Sequence, residues 1–184
     1  MMSTQDVERL IKRRFPYRSN RAWFPSLVCF LWAYGCRVSE ALSMKREHFR
    51  VEKLPDGRHN LVAHIKVLKR RDEFEHDVRV CIETTPLLRH VLKQVLRTPK
   101  NQRIWGVSRQ TVWRVLKELN VGILTHQYYK RSHFFRYNRT NALCRQRPTA
   151  MELQDWFAWK RLDTATFYLS QDGSLASKFS DKIE

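Results

Sequence analysis

The sequence YGCRVSEAL at residues 34–42 decides how the chain is interpreted. Gly35 ends a long apolar stretch whose hydrophobic residues recur at helical spacing, and Val38 begins a second short apolar period. Arg37 stands at the junction, and Glu40 follows three residues later. Because glycine is favoured directly after a helix, this segment predicts two consecutive helices with an arginine at the start of the second.

Three further groups of residues with side chains suited to catalysis or phosphate binding follow in the chain. His133 and Arg136 are three residues apart in the sequence HFFR, which places both on one face of a helix. Trp159 precedes Tyr168 by nine residues. Between these groups and the first arginine lies the basic sequence KVLKRR at residues 66–71, which we expect to join two strands.

The remaining pattern predicts a mostly helical α+β domain with a small antiparallel three-stranded sheet. β-Branched residues fill two strand-like runs, 61–67 and 78–82. The helices are expected at about 4–14, 20–34, 38–44, 85–97, 108–119, 133–145, from 149 and at 163–169. Ser108 is expected as the N-cap of its helix, and Thr149 with Glu152 as a capping box. The start at Thr85 follows from Pro86, a residue favoured at the first helical position. We expect one domain over residues 1–169 and a polar tail over residues 170–184, which could dock on a neighbouring protomer.

The charge of the chain indicates a polyanionic partner. The 184 residues include 35 lysines and arginines against 18 acids, a net charge of +17. Residues 84–151 carry fourteen of these bases and a single acid, Glu118. A solvated surface usually mixes both signs, so this segregation favours nucleic acid as the partner, with affinity that falls steeply with salt.

Other classes of protein fit the sequence poorly. The longest apolar stretch has about twelve residues, whereas a membrane-spanning helix needs about 20, so no membrane partner is expected. Residues 1–5 do not show the charged-then-apolar pattern of a secretory signal, so no secretion is expected. The four cysteines form no zinc-binding spacing with the histidines, so no metal is expected.

The ordered set of motifs resembles the tyrosine recombinase, or phage integrase, family. The run at residues 34–42 is similar to the box that holds the family's first arginine, and HFFR is similar to the second box. The sequence from Phe157 to Tyr168 is similar to the third box, although it has FAW where LGH is common. Many members carry a DNA-clamping domain before the catalytic one, so we expect a single-domain member or part of a longer protein.

The resemblance implies a role for each residue in metal-free and ATP-independent cleavage of DNA. Tyr168 would attack the scissile phosphate and form a covalent 3′-phosphotyrosyl link. Arg37 and Arg136 would bind the non-bridging phosphate oxygens. Lys69, or Lys66 as its rival, would protonate the leaving 5′ oxygen. The remaining polar donors are His133 and Trp159, which would hydrogen-bond the phosphate, with His133 alternatively accepting the tyrosine proton.

The same resemblance implies the partners and setting of the protein. We expect double-stranded DNA, a homo-oligomer (dimer or tetramer) on that DNA, no cofactor, and a cytoplasmic, nucleoid-associated location in a prokaryotic or virus-infected host. The residues expected to bind DNA are basic and flank the motifs: Lys66, Arg70, Arg71, Arg109, Lys130, Arg131 and Arg139. Two alternatives stay open: a recombinase-derived DNA-binding protein without catalysis, and a type IB topoisomerase-like enzyme.

Overall fold

The computed structural model describes residues 2–13, 21–68, 74–119 and 133–171. These ranges form eight α-helices, a short 3₁₀ helix at Arg46–His48 and a three-stranded sheet. The helices are α1 (Thr4–Lys12), α2 (Trp23–Tyr34), α3 (Val38–Ser43), α4 (Leu88–Arg97), α5 (Arg109–Glu118), α6 (Phe134–Cys144), α7 (Ala150–Phe157) and α8 (Leu162–Gln171). The strands are β1 (Phe49–Lys53), β2 (His59–Lys66) and β3 (Glu75–Cys81). The predicted α+β class with a small sheet is confirmed.

Helix α2 lies at the centre of the larger core. Nine of its residues are buried, and it packs against α1, α3, α4 and α6. Gly35 ends the helix with a φ of 65°, in the left-handed region, as its position after the apolar stretch predicts. A Cβ atom at Gly35 would lie 2.7 Å from the Phe157 ring and 2.9 Å from the Arg139 side chain. This position therefore needs glycine both for its backbone and for the close approach of α6 and α7.

The sheet is antiparallel in the order β1-β2-β3, with one face on the core. Ala63 pairs with Val78 and Leu61 pairs with Val80, and all four side chains are buried. Ile65 pairs with His76 on the same face, because side chains on a strand alternate between the two faces. The part of the inner face formed by residues 61–65 and 76–80 is therefore apolar except at His76.

The outer face of the sheet carries a network of ion pairs. Arg50 bonds to Glu52 and Asp77, and Arg79 bonds to Glu52. His64 lies between two carboxylates, with Nδ1 2.8 Å from Asp77 and Nε2 2.9 Å from Glu75. The hydrogen bond with Glu75 raises the pKa of His64 most, and the hydrogen bond with Asp77 raises it further. Exposed pairs of this kind each contribute about 0–1 kcal/mol.

A second, smaller apolar cluster joins the last three helices. Its buried members are Cys144, Leu153, Phe157, Ala165 and Leu169, from α6, α7 and α8. Trp159 and Tyr168 pack against it. The capping box predicted for Thr149 and Glu152 is present and starts α7. This cluster fixes α8, and with it Tyr168, beside α6.

The predicted start of α4 at Thr85 is wrong by three residues. Residues 85–87 form successive turns, each closed by a hydrogen bond from the N–H of residue i+3 to the carbonyl of residue i; Leu88 N–H, for example, donates to the Thr85 carbonyl at 2.9 Å. Helix α4 begins only at Leu88. The Pro86 ring can enter such a turn as well as a helix, so proline alone did not separate the two. The predicted N-cap Ser108 is confirmed, because its hydroxyl accepts from Thr111 N at 3.1 Å.

The last helix is longer than predicted, since α8 extends to Gln171. The tail beyond it lies outside the described residues, and the division of the chain at residue 169 stays a prediction. Within the described ranges, no helix has the length and apolarity needed to cross a membrane.

Candidate active site

Arg37 is the residue at which the chain enters α3. Its backbone N–H donates to Glu40 Oε2 at 2.7 Å, and its Nη1 donates to Glu40 Oε1 at 2.6 Å. Glu40 is 2% exposed, whereas the Arg37 side chain is 21% exposed. The buried carboxylate therefore fixes both the backbone and the guanidinium of Arg37, and part of that guanidinium stays accessible to a ligand.

Arg136 connects the end of α2 with the end of α7. Its Nη1 donates to the Gly35 carbonyl at 3.2 Å, and its Nη2 donates to the Phe157 carbonyl at 2.7 Å. Burial lowers the pKa of Arg136 to about 10, and the nearby charge of Arg37 also lowers it. At neutral pH Arg136 is still a cation, held between two segments that are distant in sequence.

Trp159 and Tyr168 form part of a stack of three aromatic rings. The Trp159 ring lies 5.3 Å from the Tyr168 ring at an interplanar angle of 8°, and 4.9 Å from Phe157 at 24°. The Arg136 guanidinium lies over Phe157 at 4.8 Å and over Trp159 at 5.8 Å. A negative charge on Tyr168 would favour the charged form of Arg136. The predicted nucleophile and the predicted second arginine are therefore close enough to interact.

The structure places the other predicted catalytic residues in different ways. His133 lies at the N-cap of α6, one turn before Arg136. Lys66 ends β2 opposite Glu75. A hydrogen bond with His64 lowers the pKa of the Glu75 carboxyl group, and the charge of Lys66 acts in the same direction. Ile65 and Val67 are buried, which places Lys66 on the outer face of the sheet. Lys69 lies outside the described residues.

The predicted DNA-binding residues also differ in exposure. Arg109 is exposed at the first position of α5. Arg139 is mostly enclosed, its guanidinium lies 5.0 Å from the Trp156 ring, and burial lowers its pKa to about 10. A contact between Arg139 and a DNA phosphate would require it to leave this packing. The remaining predicted contacts, Arg70, Arg71, Lys130 and Arg131, lie outside the described residues.

Two residues near the site were not assigned to it from the sequence. Tyr137 adjoins Arg136, and helix geometry alone turns it about 100° away from that residue, yet its ring centroid lies 6.4 Å from that of Tyr168. His76 lines a cleft of about 950 Å³ between β3 and α7, together with Trp159. Neither belongs to a short motif, so only the tertiary arrangement reveals them.

Comparison with known proteins agrees with this geometry. No protein-family model matches the sequence, and no curated protein matches it. Solved structures do match. XerH site-specific recombinase bound to its difH substrate, in a pre-cleavage complex, is 18% identical with a TM-score of 0.64, over 90% of this chain and 49% of that one. XerA recombinase is 17% identical with a TM-score of 0.60, over 99% of this chain and 63% of that one.

The catalytic domain of bacteriophage HP1 integrase is 11% identical with a TM-score of 0.52, over 84% of this chain and 87% of that one. These neighbours are tyrosine recombinases. The chain has the fold of their catalytic domain. It spans about half the length of the XerH chain, and at these identities the likeness concerns the fold. The resemblance stated from the sequence is confirmed at that level.

Proposed function

We propose that the protein is a site-specific tyrosine recombinase or integrase that cleaves and rejoins DNA through a covalent 3′-phosphotyrosyl intermediate. The observation that carries this proposal is the convergence of four side chains from four separate parts of the fold. Arg136 donates to the Gly35 carbonyl, two residues before Arg37, and to the Phe157 carbonyl, two residues before Trp159. Trp159 in turn stacks on Tyr168. A protein that only bound DNA would not need a tyrosine in this cluster.

The chemistry follows from this arrangement. The Tyr168 oxygen attacks phosphorus, a Tyr168 O–P bond forms, and the bond from phosphorus to the 5′ oxygen breaks. The tyrosine proton passes to His133 or water, and Lys69, with Lys66 as its rival, gives a proton to the departing oxygen. Attack by a 5′ hydroxyl reverses each step. The phosphotyrosyl bond retains the energy of the broken bond, so no ATP or other cofactor is needed.

The two arginines stabilise the charge that builds on the phosphate. Arg37 has part of its guanidinium accessible, and Arg136 uses two of its five N–H groups on backbone carbonyls. The guanidinium group of arginine is a permanent cation at neutral pH, and each of the two is held by contacts made before the substrate arrives. Such preorganised donors are each worth about 3–4 kcal/mol in the transition state.

Helix α5 offers a surface for the DNA duplex. Arg109 and Arg114 are exposed, and Lys117 lies 5.3 Å from the half-exposed Trp113 ring. The single acid of the basic segment, Glu118, is paired with Arg21 at 3.2 Å. The negative charge is thus neutralised within the protein, and the cations of α5 face solvent. This supports binding to the phosphate backbone.

The proposed activity also determines the setting. One of the similar proteins is described bound to its DNA substrate. Exchange of strands between two duplexes requires several cleavage events, so we propose a homodimer or homotetramer on double-stranded DNA. The protein would act on the DNA of a prokaryotic or virus-infected cell.

A library of random DNA sequences allows the activity to be tested and the target site to be selected in one experiment. Duplexes with a nick beside a randomised region are incubated with the protein, so that cleavage near the nick releases a short fragment and traps the adduct. Covalent complexes are recovered under denaturing conditions, their DNA is sequenced, and their tryptic peptides are analysed by mass spectrometry. We expect an enriched sequence attached to the peptide that contains Tyr168.

Tyr168→Phe is the matched control, because it removes one hydroxyl and keeps the ring that stacks on Trp159. It should abolish the adduct while changing DNA affinity by less than about threefold, since the hydroxyl acts in the chemical step. Modification of another tyrosine would reject the assignment of the nucleophile. DNA binding without any adduct would favour the non-catalytic alternative, and adducts without sequence enrichment would favour the topoisomerase-like one.

A further inference from the structure

The turn that carries Trp159 is held by several polar contacts. Ala158 has a φ of 48°, a left-handed conformation that is uncommon for a residue other than glycine. Arg136 donates to the carbonyl of Phe157 at 2.7 Å. Gln154 Nε2 donates to the Trp159 carbonyl at 3.1 Å, and Trp159 N–H donates to the Gln154 carbonyl at 3.0 Å. An unfavourable backbone conformation persists where its surroundings fix it.

His76 adds a contact to this turn from the sheet. It lies on the inner face of β3, opposite Ile65, and lines the cleft that Asp155 and Trp159 also line. The backbone carbonyl of Asp155 lies near its ring and, as a hydrogen-bond acceptor, acts to raise the pKa of His76. Its Nδ1 is buried and has no hydrogen-bond partner among the residues that the structure describes. We therefore assign the N–H of the neutral ring to Nε2, as the donor toward Asp155, and the acceptor role to Nδ1.

The position of His76 is otherwise an apolar one. The neighbouring residues on the inner face, Val78, Val80 and Ala63, are all buried. A buried polar atom without a partner costs about 1–3 kcal/mol. A leucine or valine would avoid that cost, so packing alone does not account for a histidine here. What the histidine provides and an aliphatic residue cannot is an N–H group for the Asp155 carbonyl.

The charges around His76 favour its neutral form. Burial lowers its pKa from the usual 6.5 and Arg136 on α6 acts in the same direction, whereas Glu40 on α3 and Asp77 on β3 act against them. The Asp155 carbonyl on α7 also favours protonation. Protonation would bury a second N–H without an acceptor and place a positive charge near Arg136. Acidification should therefore disturb the same turn that Arg136 holds.

We propose that neutral His76 is a positioning residue, which holds the Asp155–Trp159 turn so that Trp159 and Tyr168 are stacked for strand cleavage. The link to cleavage rests on the proposed function. The contact itself belongs to the protein without DNA. His76 touches no reacting atom and acts through the turn, so its loss should be visible at Trp159 before any substrate is bound.

The first test is nuclear magnetic resonance on the free protein. The indole N–H signal of Trp159, assigned with Trp159→Phe, is followed from pH 5 to pH 8 in wild type, His76→Gln and His76→Leu. Glutamine can donate to the Asp155 carbonyl but does not titrate. Leucine can neither donate a hydrogen bond nor titrate. In wild type the signal should titrate with a midpoint below 6.5, together with the His76 ring signals.

In His76→Gln the pH 7.5 position of the Trp159 signal should be kept and the titration lost, whereas in His76→Leu the signal should be displaced at every pH. Val80→Ala is the matched control, because it removes buried atoms from the same face of β3 at a position that does not line the cleft of the turn, and it should leave the Trp159 signal in place. A Trp159 signal that is the same in His76→Leu as in wild type would overturn the proposal. So would a displacement in Val80→Ala as large as that in His76→Leu.

The second test uses formation of the covalent adduct. His76→Leu should slow it about tenfold at pH 7.5, because small misplacements of reacting groups have effects of this size or larger, and His76→Gln should restore most of the rate. If wild type forms the adduct and His76→Leu forms it equally fast, the positioning role fails and the proposed function stands. If wild type forms no adduct but the Trp159 signal behaves as expected, the proposed function fails and the contact stands.

Discussion

The two apolar clusters of this protein are joined in different ways to the rest of the molecule. The larger core is closed by apolar packing around α2 and the sheet, and within it Trp105 Nε1 donates to Ser26 Oγ at 2.9 Å. The smaller cluster of α6, α7 and α8 has five buried members. It is linked to the larger core by hydrogen bonds to carbonyls, from Arg136 to Gly35 and from Trp156 to Tyr34.

This difference indicates that the larger core serves mainly stability and the smaller cluster mainly the positioning of side chains. Apolar packing is non-directional, so the larger core provides stability without fixing any single group to a fraction of an ångström. Hydrogen bonds are directional, and the smaller cluster uses them to place Trp159 and Tyr168 relative to Arg37. The half of the fold that holds the candidate nucleophile should therefore be more sensitive to the loss of single polar side chains.

The sharpest test compares Leu27→Ala in the larger core with Arg136→Met at the junction. Leu27 is 1% exposed, and truncation of such a residue costs about 2–5 kcal/mol. This loss should lower the free energy of unfolding of the whole domain. Arg136→Met removes two hydrogen bonds and should lower the free energy of local opening by about 3 kcal/mol, with the effect confined to α7 and α8.

Hydrogen exchange measured by mass spectrometry separates the two effects. After Leu27→Ala, the slowest-exchanging amides of α2 and α4 should exchange faster. After Arg136→Met, amides of α7 and α8 should lose protection while those of α2 keep it. Equal loss of protection in α2 and α8 after Arg136→Met would contradict the division between the two regions.

A glycine at the junction can be compared with a glycine outside it. Gly35 and Gly57 both have positive φ, 65° and 86°. Gly35→Ala would also place a Cβ 2.7 Å from Phe157, whereas no heavy atom of the described residues lies within 4 Å of the corresponding position at Gly57. Backbone strain alone costs about 1–2 kcal/mol, so we expect about 1 kcal/mol for Gly57→Ala and about 3 kcal/mol for Gly35→Ala.

Urea denaturation of the two variants measures this difference. The additional loss of unfolding free energy in Gly35→Ala, compared with Gly57→Ala, measures the contact between the clusters, since the strain of the backbone is common to both sites. Equal losses of stability at the two glycines would mean that α6 and α7 can move away from α2 at no cost.

Much of this arrangement could be predicted from local sequence. The helix end at Gly35, the caps at Ser108 and Thr149, and the alternation of β2 each depend on neighbouring residues. The order of the motifs also predicted that Arg37, Arg136, Trp159 and Tyr168 belong together. Local patterns could not show that Arg139 is packed against Trp156, because an arginine that follows Arg136 by three residues looks like another surface cation.

The same limit applies to His76. Its sequence context, EHDVRVC in β3, shows an alternating strand and gives no sign of the Asp155 carbonyl, which belongs to a turn 79 residues later. Its role depends on the packing of β3 against α7, and so on long-range contacts. The start of α4 was missed for a different reason, since Pro86 fits both a turn and a helix.

The smallest expected effect concerns the outer face of the sheet, which lies away from both clusters. His64 has a pKa raised by Glu75 and Asp77, so its contribution to stability is fully present below pH 6.5 and is lost as the pH rises through the raised folded-state pKa. The side chain is 40% exposed, and solvent screening should keep the contribution below about 1 kcal/mol.

We expect His64→Gln to reduce the difference in unfolding free energy between pH 5.5 and pH 8.5, measured with urea, and Glu75→Gln to have a similar but partial effect, because Asp77 remains. His64 does not line the cleft that holds Trp159, so His64→Gln should leave the Trp159 indole signal unchanged. A shift of that signal would show that the sheet transmits charge changes on its outer face to the turn, and the two regions would then be less independent than their contacts indicate.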